Sequence, residues 1–331
     1  MQQNDYQYYD GSIFEHVVNN GQTYKFNPAF RVAGYSNAAH PRIPKRDPHY
    51  VFELETLMDV ITWLMEPNGT GLWLTGPTGC GKTSCINEVA ARLNWPVVAQ
   101  TMTGRFEFSD LKGQFVLTQK AGEREPRMCY QHNALALAMK YGWILRLDEV
   151  DLADPAELSG LNDVLEGRPL VISENGGEVI NPHPMFRLVV TGNSAGQGDD
   201  TGLYQGIQQQ NIAALDRYRL LKVGYPAKEA EMLLLKEVAG DMPSDIRKRC
   251  VEFAHHLREA FEKGTLSVPF STRTLRNWIS TSRHYRGNSQ VRSPMRKALL
   301  LHFLNRLTAE EVEAVDMCAK AVFGPTWCEN N

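Results

Sequence analysis

The chain has 331 residues, with 35 basic and 38 acidic side chains and a formal charge of -3. That length calls for two packed units with ample core, and the balance of signs argues against a generally basic nucleic-acid coat. With 43% hydrophobic and 22% charged residues the composition is that of a globular protein, which excludes disorder for most of the chain. No apolar run reaches the roughly 18 to 20 residues of a membrane helix, and the N-terminus lacks the basic start and apolar core of a signal peptide. A cytoplasmic location without membrane contact is expected. The six cysteines, at 80, 85, 129, 250, 318 and 328, form no CxxC pair, so neither a disulfide framework nor a zinc site is expected.

In chain order, residues 1–50 read as an arm or small β element, because Pro41, Pro44 and Pro48 forbid continuous helix. Apolar residues at three- and four-residue spacing predict an amphipathic helix over 51–65, ended by Pro67-Asn68-Gly69. Short apolar runs then alternate with helical patterns: strands at 71–75, 96–99, 143–147 and 186–191, and a helix at 82–93. That alternation predicts an α/β core, 51–225, with a mostly parallel sheet flanked by helices. From residue 226 the strand signal fades, and helices over 228–239, 245–261, 272–285 and 294–307 predict a small all-α lid domain, 226–331. Two inserted hairpins are expected in the core, at 104–126 with Phe106, Phe108 and Phe115, and at 168–184 around Asn175-Gly176-Gly177.

Directly after the strand at 71–75 stands Gly76-Pro77-Thr78-Gly79-Cys80-Gly81-Lys82-Thr83, which fits GxxxxGK[ST] and leads, through Ser84, into a helical pattern. Its glycines allow backbone N–H groups to turn around a polyphosphate at a helix N-terminus, Lys82 would reach the β and γ phosphates, and Thr83 would ligate Mg²⁺. Cys80 reads as a tolerated residue at a free position of the loop. The strand at 143–147 ends in Asp148-Glu149, where Asp148 would serve the metal and Glu149 would polarise the attacking water. Arg146 interrupts that apolar strand, and the sequence names no partner for it. Asn193 follows the next strand and either bonds the water or γ-phosphate or simply forms a turn. Arg217 and Arg219 offer guanidinium groups for a neighbour's nucleotide, or else a surface ion pair. Arg273 opens a helix and could fold back on the nucleotide, with Arg276 competing for that role.

In this order the P-loop, Asp148-Glu149, Asn193, Arg217 and Arg273 resemble the AAA+ ATPases of the MoxR and chelatase branch, and within it the CobS-type subunit of aerobic cobaltochelatase. The resemblance runs over 47–324 and is carried by Ala90-Ala91-Arg92-Leu93-Asn94-Trp95-Pro96, Tyr130-Gln131-His132-Asn133-Ala134-Leu135, Pro182-His183-Pro184-Met185-Phe186-Arg187-Leu188 and Thr201-Gly202-Leu203-Tyr204-Gln205-Gly206. It implies a P-loop AAA+ core and a homo-hexameric ring using ATP with Mg²⁺. It also implies Asn193 as sensor 1, Arg217 as trans-acting finger, Arg273 as sensor 2, and the two hairpins facing partners. The first 46 residues do not match the family's N-terminal region, and Pro77 and Cys80 depart from its usual loop.

The expected function is therefore an ATP-driven motor that remodels a partner protein, as a cobaltochelatase subunit or as a MoxR-like chaperone for a von Willebrand-type partner. A nucleic-acid-stimulated motor is the rival, prompted by the basic residues Arg247, Lys248, Arg249, Arg258, Arg273, Arg276, Arg283, Arg286, Arg292, Arg296 and Lys297. No base-reading motif accompanies them, so nucleic acid is not the expected partner. A scaffold that binds nucleotide without turnover is disfavoured by the presence of both Lys82 and Glu149.

Overall fold

The computed structural model describes residues 6–119, 125–198, 206–288, 290–324 and 327. The short apolar runs build one parallel sheet from β1 (Gly71–Thr75), β2 (Val97–Thr101), β3 (Ile144–Asp148), β4 (Arg187–Gly192) and β5 (Tyr218–Lys222). The strand order is β5-β1-β4-β3-β2, and every pairing is parallel. Strands β1 and β4 are buried throughout, as continuous apolar runs covered on both faces must be. The covering helices include α1 (Leu54–Met65), α2 (Lys82–Arg92) and α3 (Ala134–Tyr141). Because the chain leaves β1 for the far edge and fills the gap later, a crevice opens at the carboxyl ends of β1, β4 and β3.

Residues 6–53 are laid against this core. Their short strands pair Tyr6–Asp10 with Arg31–Tyr35, and Val17–Asn19 with both Gln22–Tyr24 and Phe52–Glu53. Phe14, Val17, Val32 and Phe52 share one hydrophobic cluster with Leu57, Leu72 and Trp95. The helix expected from residue 51 begins at Leu54, because Phe52 is claimed by the sheet: its N–H donates to His16 O at 3.0 Å and its ring packs edge-on to Phe14.

After β5 come five helices, α4 (Lys228–Val238), α5 (Ser244–Glu262), α6 (Thr272–Tyr285), α7 (Pro294–His302) and α8 (Ala309–Phe323). They enclose a separate core around Phe253, Phe270, Trp278, Phe303 and Phe323. The helix expected over 294–307 stops at His302, since the buried Phe303 takes φ -142°, ψ -58°. Helix α8 is not in the sequence expectation, although Thr308 and Glu311 form a capping box at its start.

The first insertion is a short helix, Ser109–Lys112, followed by a hairpin of Gly113–Thr118 against Arg127–His132. It therefore extends past the expected 126 and takes in Tyr130 and His132. The tip, 120–124, lies outside the described residues, as does most of the segment 201–206 quoted above and Cys328. The second insertion pairs Leu170–Ile172 with Glu178–Ile180. No helix among the described residues is long and apolar enough to cross a membrane.

Candidate functional site

Strand registry brings the candidate residues together. Val190 is level with Trp73 on β1 and with Leu147 on β3, so Thr75, Asp148 and Gly192 end at one height. The loop after β1 turns into α2, whose first residue is Lys82. Around this loop a cleft of about 250 Å³ is lined by Thr78, Lys82, Thr83, Asp148, Glu149 and Asn193, among others. Gly79 sits at φ +75° against the helical lid, where a Cβ would come within 2.7 Å of Ser271 Cβ, so no side chain fits between loop and lid.

Lys82 Nζ donates to Gly76 O at 2.6 Å, to Pro77 O at 3.1 Å and to Asn193 Oδ1 at 3.2 Å. Asn193 Oδ1 also accepts from Thr78 Oγ1 at 3.4 Å, which places the candidate γ-phosphate sensor over the loop and the lysine. Burial pulls the Lys82 ammonium below the ordinary lysine range, with the carboxylates of Asp151 and Glu149 acting in the opposite sense. Ser84, with Gly79 and Gly81, lines the cleft, whereas Gly76 and Pro77 contribute through their carbonyls. Cys80 is not at a free position: its side chain belongs to the hydrophobic core beneath the loop, and burial pushes its thiol up.

Asp148 Oδ1 accepts from Thr83 Oγ1 at 3.3 Å and from Thr191 Oγ1 at 3.0 Å. A carboxylate flanked by two hydroxyls is the hard, all-oxygen donor set that suits Mg²⁺, which would be held by Thr83 and Asp148. Arg146, unpartnered in the sequence reading, is bound to Asp148 and Asn87. Glu149 is exposed at the cleft in the left-handed conformation, φ +57°, an uncommon and costly state for a residue with a side chain.

Asp151 was missed by sequence reasoning. Fully buried, it accepts through Oδ2 from the backbone N–H of Asn193 at 2.7 Å and of Ser194 at 3.0 Å. A Cβ on Gly192 would lie 3.2 Å from that carboxylate, so glycine there permits the close approach. The sequence signal was an Asp two residues beyond Glu149, unreadable without knowing that β4 ends beside it.

The arginines separate into two groups. Arg273, exposed at the start of α6, lines the phosphate cleft and a neighbouring cleft of about 550 Å³ between loop and lid. Arg276 lines only the second, 4.0 Å from Asp47. That larger cleft has an apolar wall from Tyr50, Val51, Pro226, Leu234 and Val238, residues too scattered in the chain to form a motif. Arg217 is not brought to the site. It lies at the start of β5, its carbonyl accepting from Gly71 N at 3.0 Å, and its guanidinium pairs with Glu166 at 2.5 Å. Arg219 donates to Glu66 O, away from the cleft.

Of the basic residues that prompted a nucleic-acid motor, five are held by partners within the helical region. Arg258 is buried on Glu231, Arg296 pairs with Asp316, Arg283 and Arg286 share Asp241, and Arg247 donates to carbonyls of Ala239, Gly240 and Met242. His132 and His183 are structural: His132 bonds Glu178 at 2.6 Å, tying the two hairpins, and His183 Nδ1 accepts from Met185 N. Phe106 and Phe108 pack on the core, while Phe115 is half exposed and stacks edge-on with Tyr130.

Compared with known proteins, residues 71–208 match the AAA domain (dynein-related subfamily). The chain is 30% identical over 299 residues to the aerobic cobaltochelatase subunit CobS of a Sinorhizobium species, covering 89% of this chain and 86% of the relative. It is 28% identical to the protein CbbQ of Hydrogenophilus thermoluteolus over 63% of this chain and 72% of that one. Among solved structures, a mutant of Thermotoga maritima RuvB is aligned over 75% of this chain and 69% of its own at 14% identity, with a TM-score of 0.48.

Proposed function

The chain belongs to the AAA+ ATPases of the MoxR and chelatase branch, and on that premise we propose that it hydrolyses Mg²⁺-ATP between neighbouring copies in a ring and uses the cycle to remodel a partner protein. The observation that carries this reading is the convergence of Lys82, Thr83, Asp148, Glu149 and Asn193 on one cleft, with Arg273 reaching it from the lid. The adenosine would occupy the adjoining apolar cleft beside Tyr50 and Leu234.

Glu149 takes a proton from water as its oxygen attacks the γ-phosphorus in line, and the bond from that phosphorus to the bridging oxygen of ADP breaks. Lys82 holds the β and γ phosphate oxygens, Asn193 orients the water or the γ-phosphate, and Arg273 spreads the developing charge. The metal, when bound, shields the phosphate charge. Arg217 cannot serve its own nucleotide: it sits at the amino end of β5 beside the start of β1, about 13 Å of strand away from the loop that follows Thr75. It would act on the next copy, leaving Glu166 to do so.

The partner is a protein of the chelatase or von Willebrand type. The curated relative's name supports the first class, and the two linked hairpins offer a surface: Leu117 lies opposite Met128, and Val171 opposite Val179, all four exposed. Cobalt insertion is one client chemistry of this kind.

Mixing two inactive variants tests the shared site. Glu149→Gln should bind ATP yet lose about a hundredfold or more of its turnover, and Arg217→Ala should do likewise. A mixture of the two rebuilds interfaces with an intact Glu149 on one copy and an intact Arg217 on the next, so steady-state hydrolysis should recover to a measurable fraction of wild type. A mixture as inactive as its components would remove Arg217 from the neighbour's site.

A further inference from the structure

Arg146 occupies an unusual place for a charge. Its neighbours along β3, Leu145 and Leu147, are fully buried, and it is itself only 9% exposed. Being two residues from Asp148 on an extended strand, it projects from the same face. Its Nε donates to both oxygens of that carboxylate, at 3.2 and 3.0 Å, and a terminal nitrogen lies 2.9 Å from Oδ2. The other terminal nitrogen donates to Asn87 Oδ1 on α2. Among the described residues Asp148 is the one carboxylate that pairs with Arg146. The guanidinium thus approaches from inside the sheet, while the hydroxyls of Thr83 and Thr191 reach the carboxylate through Oδ1.

A carboxylate beside a polyphosphate is repulsive until something neutralises it, and a buried arginine is costly unless paired. We infer that Arg146 is a positioning residue that pins Asp148 and cancels its charge, so that nucleotide is held in this cleft even before a divalent cation arrives. The inference rests on reading the cleft as the Mg²⁺-ATP site. It makes the metal a smaller contributor to nucleotide affinity than in a site whose metal-serving aspartate stands uncompensated, because part of the metal's electrostatic task is built into the strand.

The test is equilibrium binding of a fluorescent ATP analogue to the full chain, measured in Mg²⁺ and in EDTA, with the ratio of the two Kd values as the readout. Wild-type binding in Mg²⁺ reports on the ATP site; the ratio reports on Arg146. Arg146→Met should weaken metal-free binding by about tenfold, the scale of one unit-charge interaction across about 12 Å at an effective dielectric of about 20, and leave binding in Mg²⁺ within about threefold. Arg146→Lys, which keeps the charge, should hold the ratio near wild type. Arg146→Gln, which keeps a donor and loses the charge, should widen it as Met does and serves where the Met variant does not fold. In an Asp148→Asn background the neutral substitutions should no longer move the ratio. A folded neutral variant that weakens both conditions equally, or leaves the ratio unchanged, overturns the inference.

Discussion

The side chains proposed to carry the chemistry are held by side chains that do not. Asp151 is the clearest case, since its buried carboxylate receives the two backbone N–H groups that fix Asn193 and Ser194 above the loop. Asp151→Ala would strand both donors in the interior, at about 1–3 kcal/mol each, so denaturant unfolding should report a loss of about 2–6 kcal/mol. Turnover should fall further than ATP affinity, because Asn193 loses its aim while Lys82 stays; an equal fall in both would show that Asp151 serves stability alone. Such residues were hard to read from sequence. Lys82, Thr83, Asp148 and Glu149 sit in local patterns fixed by chemistry, whereas Asp151 and Arg146 gain meaning only from strands that meet across the sheet.

At the level of elements, the lid is stitched by a buried ion pair. Arg258 of α5 donates to Glu231 of α4 at 2.7 and 3.0 Å, and its guanidinium lies 4.4 Å from the ring of Tyr225. Burial pushes the Glu231 carboxyl up, but hydrogen bonds from His255, Arg258 and Thr272 outweigh it and hold the group below its ordinary 4.5. The folded lid therefore binds fewer protons there than the unfolded chain. Its stabilisation is complete above pH 4.5 and is lost as pH falls through the lower folded value. Glu231→Gln should flatten the acid limb of a stability-versus-pH curve, and should cost about 3–5 kcal/mol near neutrality by leaving Arg258 uncompensated. An acid limb as steep as that of wild type would assign the pH response elsewhere. Helices α4 to α7 were legible from apolar spacing, and α8 was not. Where helices ended was not legible, since Phe303 breaks one helix to fill the lid core and Phe52 leaves another to join a strand.

For the whole molecule, the two candidate clefts lie where core and lid meet, and Tyr225 spans that seam. Its hydroxyl donates to Thr78 O at 3.1 Å in the loop while its ring carries the Arg258 guanidinium of the lid. Tyr225→Phe removes one neutral hydrogen bond, so unfolding should report a loss of about 1 kcal/mol, and the loosened loop should raise the Kd for ADP by about two- to fivefold. A Kd equal to that of wild type would mean that the loop does not feel the lid through this contact.

The location of Arg217 has a consequence for how copies meet. In the proposed ring Arg217, at the amino end of the strands, serves the cleft at the carboxyl end of the next copy, so the two surfaces in contact differ. A head-to-tail contact of that kind has polarity: repeated, it closes on itself or winds into an open filament, whereas a two-fold pair stops at two copies. Stoichiometry measured with the Glu149→Gln chain and ATP should therefore favour closed cycles over pairs.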